Sequence, residues 1–412
     1  MHAIRSQTLH AVLLTAAFAL SCGVSEKSVE RSIDKALSLA EKGARTEAID
    51  ALSRAARAAE KAKAPALVAR AESGVGGLLY ESGDLDGALA HFRAAELAAR
   101  QTVERAALGT VLNNIGLIEK AKGDVEAAKA HYMEAAEESH RAKDRVAEAA
   151  ALNNLGILAT ERGQLDDGLD LAMAALGVAR MSGDSLAIGR TLLSVGDMLI
   201  AKSSPDDAAQ AFVDAVAILR PVAPEAPEIA YALRRQGKII EDLGSVADAK
   251  RLYLSSLAHS RRIGHEAGIA AAAAALGRIA LLEGNLVEAE SLLSEALPVA
   301  RRTNDPGELS QLLGNLAAAR RARGDLAGAA QAYEEALNAR LRASDSAGVA
   351  VFSMNLGAVL EAVGERNRAG TAFRQAREAF LAAGDSAAAA EADAAILRIK
   401  ALGVGGGPPP RS

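Results

Sequence analysis

Seven histidines and one cysteine are the side chains of this 412-residue chain best suited to metal or nucleophilic chemistry, so their spacing comes first. His91 and His131 stand forty residues apart, beside Phe92 and Tyr132, and occupy the same place in a repeating pattern. His140, His259 and His265 have no ligand spacing to one another or to Cys22. The chain has no phosphate-binding glycine loop, no Gly-x-Ser-x-Gly elbow and no paired-carboxylate motif. Asp and Glu fall at helix starts and on exposed faces, where they are solvated or complement the helix dipole. These patterns predict a protein that is not an enzyme, with no cofactor and no small-molecule substrate.

Recognition chemistry remains. Asn114, Asn154, Asn315 and Asn355 recur at one position of the pattern. An amide offers both a donor and an acceptor, which suits the main chain of a bound peptide. The competing reading is that each bonds the adjacent repeat. Arg234, Arg235 and Lys238 interrupt this column. Arg234 and Lys238 are four apart and share a helix face, and Arg278 follows one repeat later. They form either a basic stretch of groove for an acidic partner segment or a solvated charged face. Tyr80 and Tyr231 are the main aromatic anchors in a chain that is 3% aromatic and lacks Trp.

The elements that position these residues are written in a forty-residue period. Gly43, Gly83, Gly123 and Gly163 are spaced by forty, Ser203 takes the next place, and Gly244, Gly284, Gly324 and Gly364 continue after one extra residue. Seven residues earlier stands a small residue, such as Gly76, Gly116, Gly196 or Gly237. Five residues later comes Ala88, Ala128 or its equivalent. Nine residues later comes a large side chain such as Phe92, Tyr132, Phe212, Tyr253 or Phe373, with Ala172 as the exception. Small residues belong where two antiparallel helices cross, and the large residue fills the gap between one pair and the next. Gly followed by Asp or Asn, as at Gly83-Asp84 and Gly284-Asn285, closes one helix and caps the following one. Asp144, Asp184, Asp305, Asp345 and Asp385 form a second set of caps. Half of the residues are hydrophobic, and alanine supplies much of that content, which favours close-packed helices over strands. The net charge of -5 argues against nucleic-acid binding through bulk electrostatics. No apolar run reaches the ~18 residues of a spanning helix.

Small residues at a helix crossing, an aromatic in the second helix and a Gly-Asp turn make the sequence resemble the tetratricopeptide repeat (TPR) family, in its forty-residue form. The resemblance implies an all-α, right-handed superhelix of about nine helix-turn-helix repeats over residues 29–383, followed by a capping helix at 384–402 and a disordered tail at 403–412. It also implies a concave groove lined by the first helices, where asparagines in this column hold the backbone or terminal carboxylate of a peptide. The expected partner is therefore a protein or peptide.

The N-terminus has the order of an export signal. "MHAIRSQTLH" is weakly basic, "AVLLTAAFAL" is apolar, and small residues follow. Ala19-Leu20-Ser21-Cys22 resembles a bacterial lipobox, with Leu20 one place later than usual. This implies a signal peptide at 1–21, lipidation at Cys22, a short linker at 22–28, and an outer-membrane lipoprotein that meets the membrane only through its anchor. Ala17-Phe18-Ala19 also fits ordinary cleavage, which makes the product soluble and exported, and an uncleaved apolar helix is the third possibility. The functional expectation is an envelope scaffold or assembly factor, with a soluble regulatory adaptor or peptide sensor as the alternative. Pro221, Pro224 and Pro227 predict an irregular link between the fifth and sixth repeats, either a reshaped loop or a joint. Pro298 predicts a kink in the second helix of the seventh.

Overall fold

The forty-residue columns become helix pairs because each supplies one requirement of a helical hairpin: a crossing, a stop and a cap. The computed structural model describes residues 25–102, 107–303 and 305–404, so Cys22 and the signal-like segment lie outside the described residues. Nineteen helices and no strand are present among those described. The chain divides into two compact units at residues 218 and 219.

In the first unit the pairs are α1 (Glu26–Glu41) with α2 (Arg45–Lys61), α3 (Pro65–Glu81) with α4 (Leu85–Ala99), and α5 (Leu108–Ala121) with α6 (Val125–Arg141). They continue with α7 (Arg145–Glu161) and α8 (Leu165–Ser182), then α9 (Ser185–Ala201) and α10 (Pro205–Val222), whose last residues cross the division. The second unit holds α11 (Pro227–Asp242) with α12 (Val246–Ile263), α13 (Glu266–Leu282) with α14 (Leu286–Thr303), and α15 (Pro306–Ala322) with α16 (Leu326–Arg342). It ends with α17 (Ser346–Val363), α18 (Arg366–Ala382) and the single helix α19 (Ser386–Val404). The export signal and linker expected through residue 28 meet this frame at Ser25, whose side chain caps α1.

The crossing glycines sit against the large residue of their own repeat. A Cβ on Gly76 would lie 2.9 Å from the Phe92 ring, one on Gly116 2.6 Å from Tyr132, and one on Gly237 2.9 Å from Tyr253. The same large side chains also join the next repeat's first helix. Phe92 clusters with Val111, Ile115 and Ile118, and Tyr132 with Leu155 and Leu158. The large residue therefore fills two gaps, the one between pairs and the one inside its own. In the fourth repeat Ala172 and Gly168 replace the usual residues, and backbone meets backbone. A Cβ on Gly156 would lie 2.8 Å from the Gly168 carbonyl oxygen. At the end of the second unit, α19 places Ala395, Ile396 and Ile399 in one core with Phe373.

Each turn between the two helices of a pair is closed by a left-handed residue. Gly123 has φ +84°, and Ser203, which takes the same place, keeps φ 60°. A left-handed residue recurs in the links between repeats as well, at Lys63, Lys143 and Ser344, with φ between 54° and 57°. The caps act as their type demands. Asp84 accepts the Gly87 N–H at 2.9 Å, Asp144 that of Ala147 at 3.0 Å and Asp305 that of Gly307 at 2.7 Å. Asn285, read from sequence as a cap, instead donates its side-chain amide to Glu283. Across turns in the first unit, Lys122 pairs with Asp86, Arg162 with Glu126 and Lys202 with Asp166, one link per repeat. Such exposed pairs are worth little singly but fix register when they recur.

The proline link differs from expectation at one end. Pro221 lies inside α10, which continues to Val222, and the Ala223 N–H still bonds the Leu219 carbonyl at 2.8 Å. Pro221 carries no N–H, so the Ala217 carbonyl loses the donor that position would otherwise give it, and the helix still completes its last turn through Ala223. Pro227 opens α11 at its first position, where no N–H is needed. The link is thus 223–226, one residue longer than 142–144. Helix α14 runs on through Pro298 to Thr303. By length and composition α17 is apolar enough to cross a membrane. Its Val349, Leu356, Val359 and Leu360 are core residues of the second unit, packed with α16 and α18.

Candidate functional site

Within the second unit, α11, α13 and α15 are the first helices of three successive repeats, and the middle one is unusually small. "AGIAAAAAALGR" from Ala267 to Arg278 puts Ala267, Ala270, Ala271, Ala274 and Ala275 at helical spacings of three and four, on one face. Alanines there leave room that larger side chains would fill. A cavity of about 530 Å³ results, floored by those alanines, with Leu293, Ala296, Val299 and Ala300 of α14 behind. Arg234, Arg235 and Lys238 of α11 line one side, and Glu308, Gln311 and Asn315 of α15 the other. Arg278 and Tyr253 complete it.

The cations are not equivalent. Arg278 holds both oxygens of Glu241, one at 2.5 Å, and the Tyr253 hydroxyl donates to the same carboxylate at 2.9 Å. Glu241 is only 9% exposed, so this pair is the structural base of the cavity rather than a charge offered to a ligand. Burial, with the Glu241 bond second, pushes the Tyr253 phenol well above its usual range and keeps it a neutral donor. Lys238 pairs with Asp242 on the exposed rim. The Arg234 and Arg235 guanidinium carbons lie 5.3 Å and 6.0 Å from the centre of the Tyr231 ring, a cation–π arrangement. Among the described residues no carboxylate pairs with Arg234.

The structure thus brings Arg234, Lys238, Arg278 and Asn315 to one cavity, with Tyr231 supporting its arginine wall. It does not bring the other residues there. Asn154 donates to Asn113 of the preceding repeat at 2.8 Å, and Asn153 donates to Ser194 of the next at 3.0 Å. These amides stitch repeats together. The residue 41 places before Asn315 is Ala274, and before Asn355 it is Gly314, so neither has the polar partner that Asn154 finds. Asn114 and Asn355 are half-buried on α5 and α17, and Tyr80 is 41% exposed on α3.

Glu308, Gln311, Tyr253 and the alanine floor were not singled out as site residues from sequence. The run of six alanines at 270–275 was the available signal, because it is out of proportion to a helix crossing. The histidines among the described residues are engaged as hydrogen-bonding groups. His91 contacts Glu72 at 2.6 Å, His131 contacts Glu119 at 2.7 Å, and His265 accepts the Gly268 N–H to cap α13. Among the described residues no three His, Cys, Asp or Glu side chains gather as a metal site. A second cavity, of about 450 Å³, lies in the first unit against Leu155, Leu158 and Leu171, with Arg162 and Asp167 at its edge.

Residues 268–342 match the tetratricopeptide repeat family, a stretch that contains most of the cavity. Curated proteins give no match to the sequence. Among solved structures the chain is similar to a signal transduction ATPase with numerous domains from Pyrococcus horikoshii, which has a tetratricopeptide repeat sensor. That likeness has TM-score 0.60 at 15% identity over 81% of this chain and 53% of the other. The apo form of RapI matches with TM-score 0.55 at 15% identity, over 87% of this chain and 99% of its own. The Rap conjugation gene regulator of plasmid pLS20, solved with the Phr* peptide, matches with TM-score 0.50 at 14% identity over 76% and 95%. At these identities the likeness establishes the fold, an all-α TPR solenoid.

Proposed function

We propose that this tetratricopeptide-repeat solenoid is a non-enzymatic scaffold that binds a protein or peptide segment in the alanine-floored cavity of α11, α13 and α15. The observation that carries the reading is the cavity itself: an apolar floor with a few convergent polar groups, one of them Arg234, which has no carboxylate partner among the described residues. The peptide complex of one protein with the same fold supports the class of ligand. The test is selection of a random nine-residue peptide library, displayed on phage, against the full chain and against Ala274→Trp, which fills the cavity. Ala271→Leu serves as a milder filling variant, and thermal unfolding confirms that each is folded. Peptides that bind the parent chain and are lost in the filled variants are expected. Peptides that bind all three alike, or no enrichment, would remove the cavity from the account.

The scaffold is further proposed to be held at the cell envelope by a lipid on Cys22. Support comes from the order of charges, apolar core and small residues at 2–23. The intact mass of the protein from its native cells tests this. A chain beginning at Cys22 and carrying acyl groups is expected. An unlipidated chain beginning near Leu20 would make it a soluble exported adaptor, and retention of Met1 would leave the regulatory adaptor as the better reading.

A further inference from the structure

Helix α8 turns an apolar stripe outward where its siblings turn charge. On a helical wheel Asp166, Asp170, Met173, Gly177, Arg180 and Met181 fall within about 100° of one another. The buried Gly168, Ala172, Ala175 and Ala179 lie on the opposite side. Met173 is 51% and Met181 70% exposed, an unusual cost for two large apolar side chains on one helix. In α6 the places of Gly177 and Met181 are taken by Glu137 and Arg141, and in α16 by Asn338 and Arg342.

Gly177 has no reason within the chain to be glycine. It lies inside the helix, and a Cβ there would meet nothing within 4 Å. Glycine weakens a helix interior relative to alanine, so the residue is useful only if something from outside comes close. Met173, Gly177 and Met181 form one i, i+4, i+8 ridge, with a small centre between two large ends. Such a ridge complements its own reverse. An antiparallel copy with its two-fold axis at Gly177 sets each Met173 against the other chain's Met181, and the two backbones approach at the glycines.

The charges on this face select the same direction. Asp166 is held by Lys202, but Asp170 and Arg180 have no ion-pair partner among the described residues. An antiparallel copy brings Arg180 to within one helical turn of its Asp170, and the symmetry makes that contact twice. A parallel copy would set like charge against like. The second cavity lies along the Ala174 edge of the stripe, with Asp170 and Leu171 in its wall and Leu155 and Leu158 in its floor. Met181 leans toward that same edge, so the two-fold carries it over the other copy's cavity, where an unbranched thioether fits an irregular apolar space. Exposed Met133 on α6 and Val213 on α10, each forty residues from Met173, extend the face beyond one helix. They bring it toward the ~800 Å² per partner of a standard interface.

We propose that the chain pairs with a second copy of itself through the outer face of α8, the two helices antiparallel about Gly177. The proposal is independent of the ligand cavity, which lies in the other unit.

Sedimentation velocity of the full chain across a concentration series tests it, and a monomer–dimer equilibrium is expected. Met181→Glu should weaken the dimer about tenfold or more, because the symmetry applies each change twice. Asp170→Arg and Arg180→Asp should each weaken it, and the two together should restore it, while thermal unfolding shows every variant folded. Cysteine trapping reads the geometry, in a Cys22→Ser background that removes the chain's one native thiol. Gly177→Cys should oxidise to a disulfide-linked dimer. Met173→Cys and Met181→Cys should link only when the two variants are mixed. A parent chain that stays monomeric, or a dimer unmoved by Met181→Glu and by both charge reversals, would overturn the proposal. Met173→Cys linking to itself as readily as Gly177→Cys does would overturn the antiparallel pairing.

Discussion

Two neighbouring glycines in α3 offer a controlled test of how the repeats are held. A Cβ on Gly76 would sit 2.9 Å from two ring carbons of Phe92 and 3.1 Å from the carbon at the root of that ring. Phe92 is 3% exposed and packed among Ala88, Ala95, Val111, Ile115 and Ile118, so the ring cannot swing aside. A Cβ on Gly77 meets nothing within 4 Å. Replacing either glycine with alanine gains about 1 kcal/mol of helix propensity. Only Gly76→Ala adds the cost of overpacking, about 1–3 kcal/mol. Gly77→Ala should therefore stabilise by up to about 1 kcal/mol, and Gly76→Ala should destabilise by as much as about 2 kcal/mol. Because propensity cancels between them, their difference reports the crossing contact alone. At ~2–4 °C per kcal/mol for a cooperative unit of 150–250 residues, that difference is roughly 2–12 °C in Tm. Thermal unfolding followed by helical circular dichroism measures it. Equal shifts of the same sign in the two variants would refute the claim that Gly76 is small because Phe92 lies on it.

Three further outcomes are expected. Ser203 holds φ 60° where the turns within the other pairs have glycine, so Ser203→Gly should stabilise by about 0.5–1 kcal/mol, read as a rise in Tm. Arg278→Ala strands the buried Glu241 carboxylate on the Tyr253 hydroxyl alone and should cost about 1.5–3 kcal/mol, with partial recovery when Glu241→Gln is added; unfolding of the single and double variants shows it. The Asp345 carboxyl is held below its ordinary value of 3.8, first by the Gly348 N–H that it caps and then by Arg340. Its stabilisation is therefore present above that ordinary value and is lost as the pH falls through the lower folded value, so Asp345→Asn should flatten the acid limb of a Tm–pH profile.

The fold was legible because its determinants repeat. One Gly-Asp turn is weak evidence for a helical hairpin, but the same turn at forty-residue intervals, with Phe92, Tyr132 and Tyr253 nine residues on, leaves few other structures. Repeat logic failed where a position's neighbour, rather than its own type, decides its role. Asn154 and Asn315 are indistinguishable in sequence, yet one finds Asn113 and stitches two repeats while the other faces Ala274 and opens onto a cavity. Arg278 reads as a groove cation until Glu241, 37 residues earlier, is seen to take both its bonds. The left-handed Lys63, Lys143 and Ser344 gave no sign of themselves, since only glycine advertises that conformation. Pro221 was read as a helix breaker, yet α10 runs past it to Val222 and closes with the bond from the Ala223 N–H to the Leu219 carbonyl.

Photo-cross-linking tests the central claim most directly. A display-selected peptide carrying a photoreactive side chain at its middle position is irradiated on the full-length protein, and the joined residues are read by mass spectrometry. The account predicts cross-links on the facing surfaces of α11, α13 and α15, at 231–238, 270–278 and 308–315. Cross-links confined to the first unit, at the second cavity around Leu155 and Leu171, would contradict it.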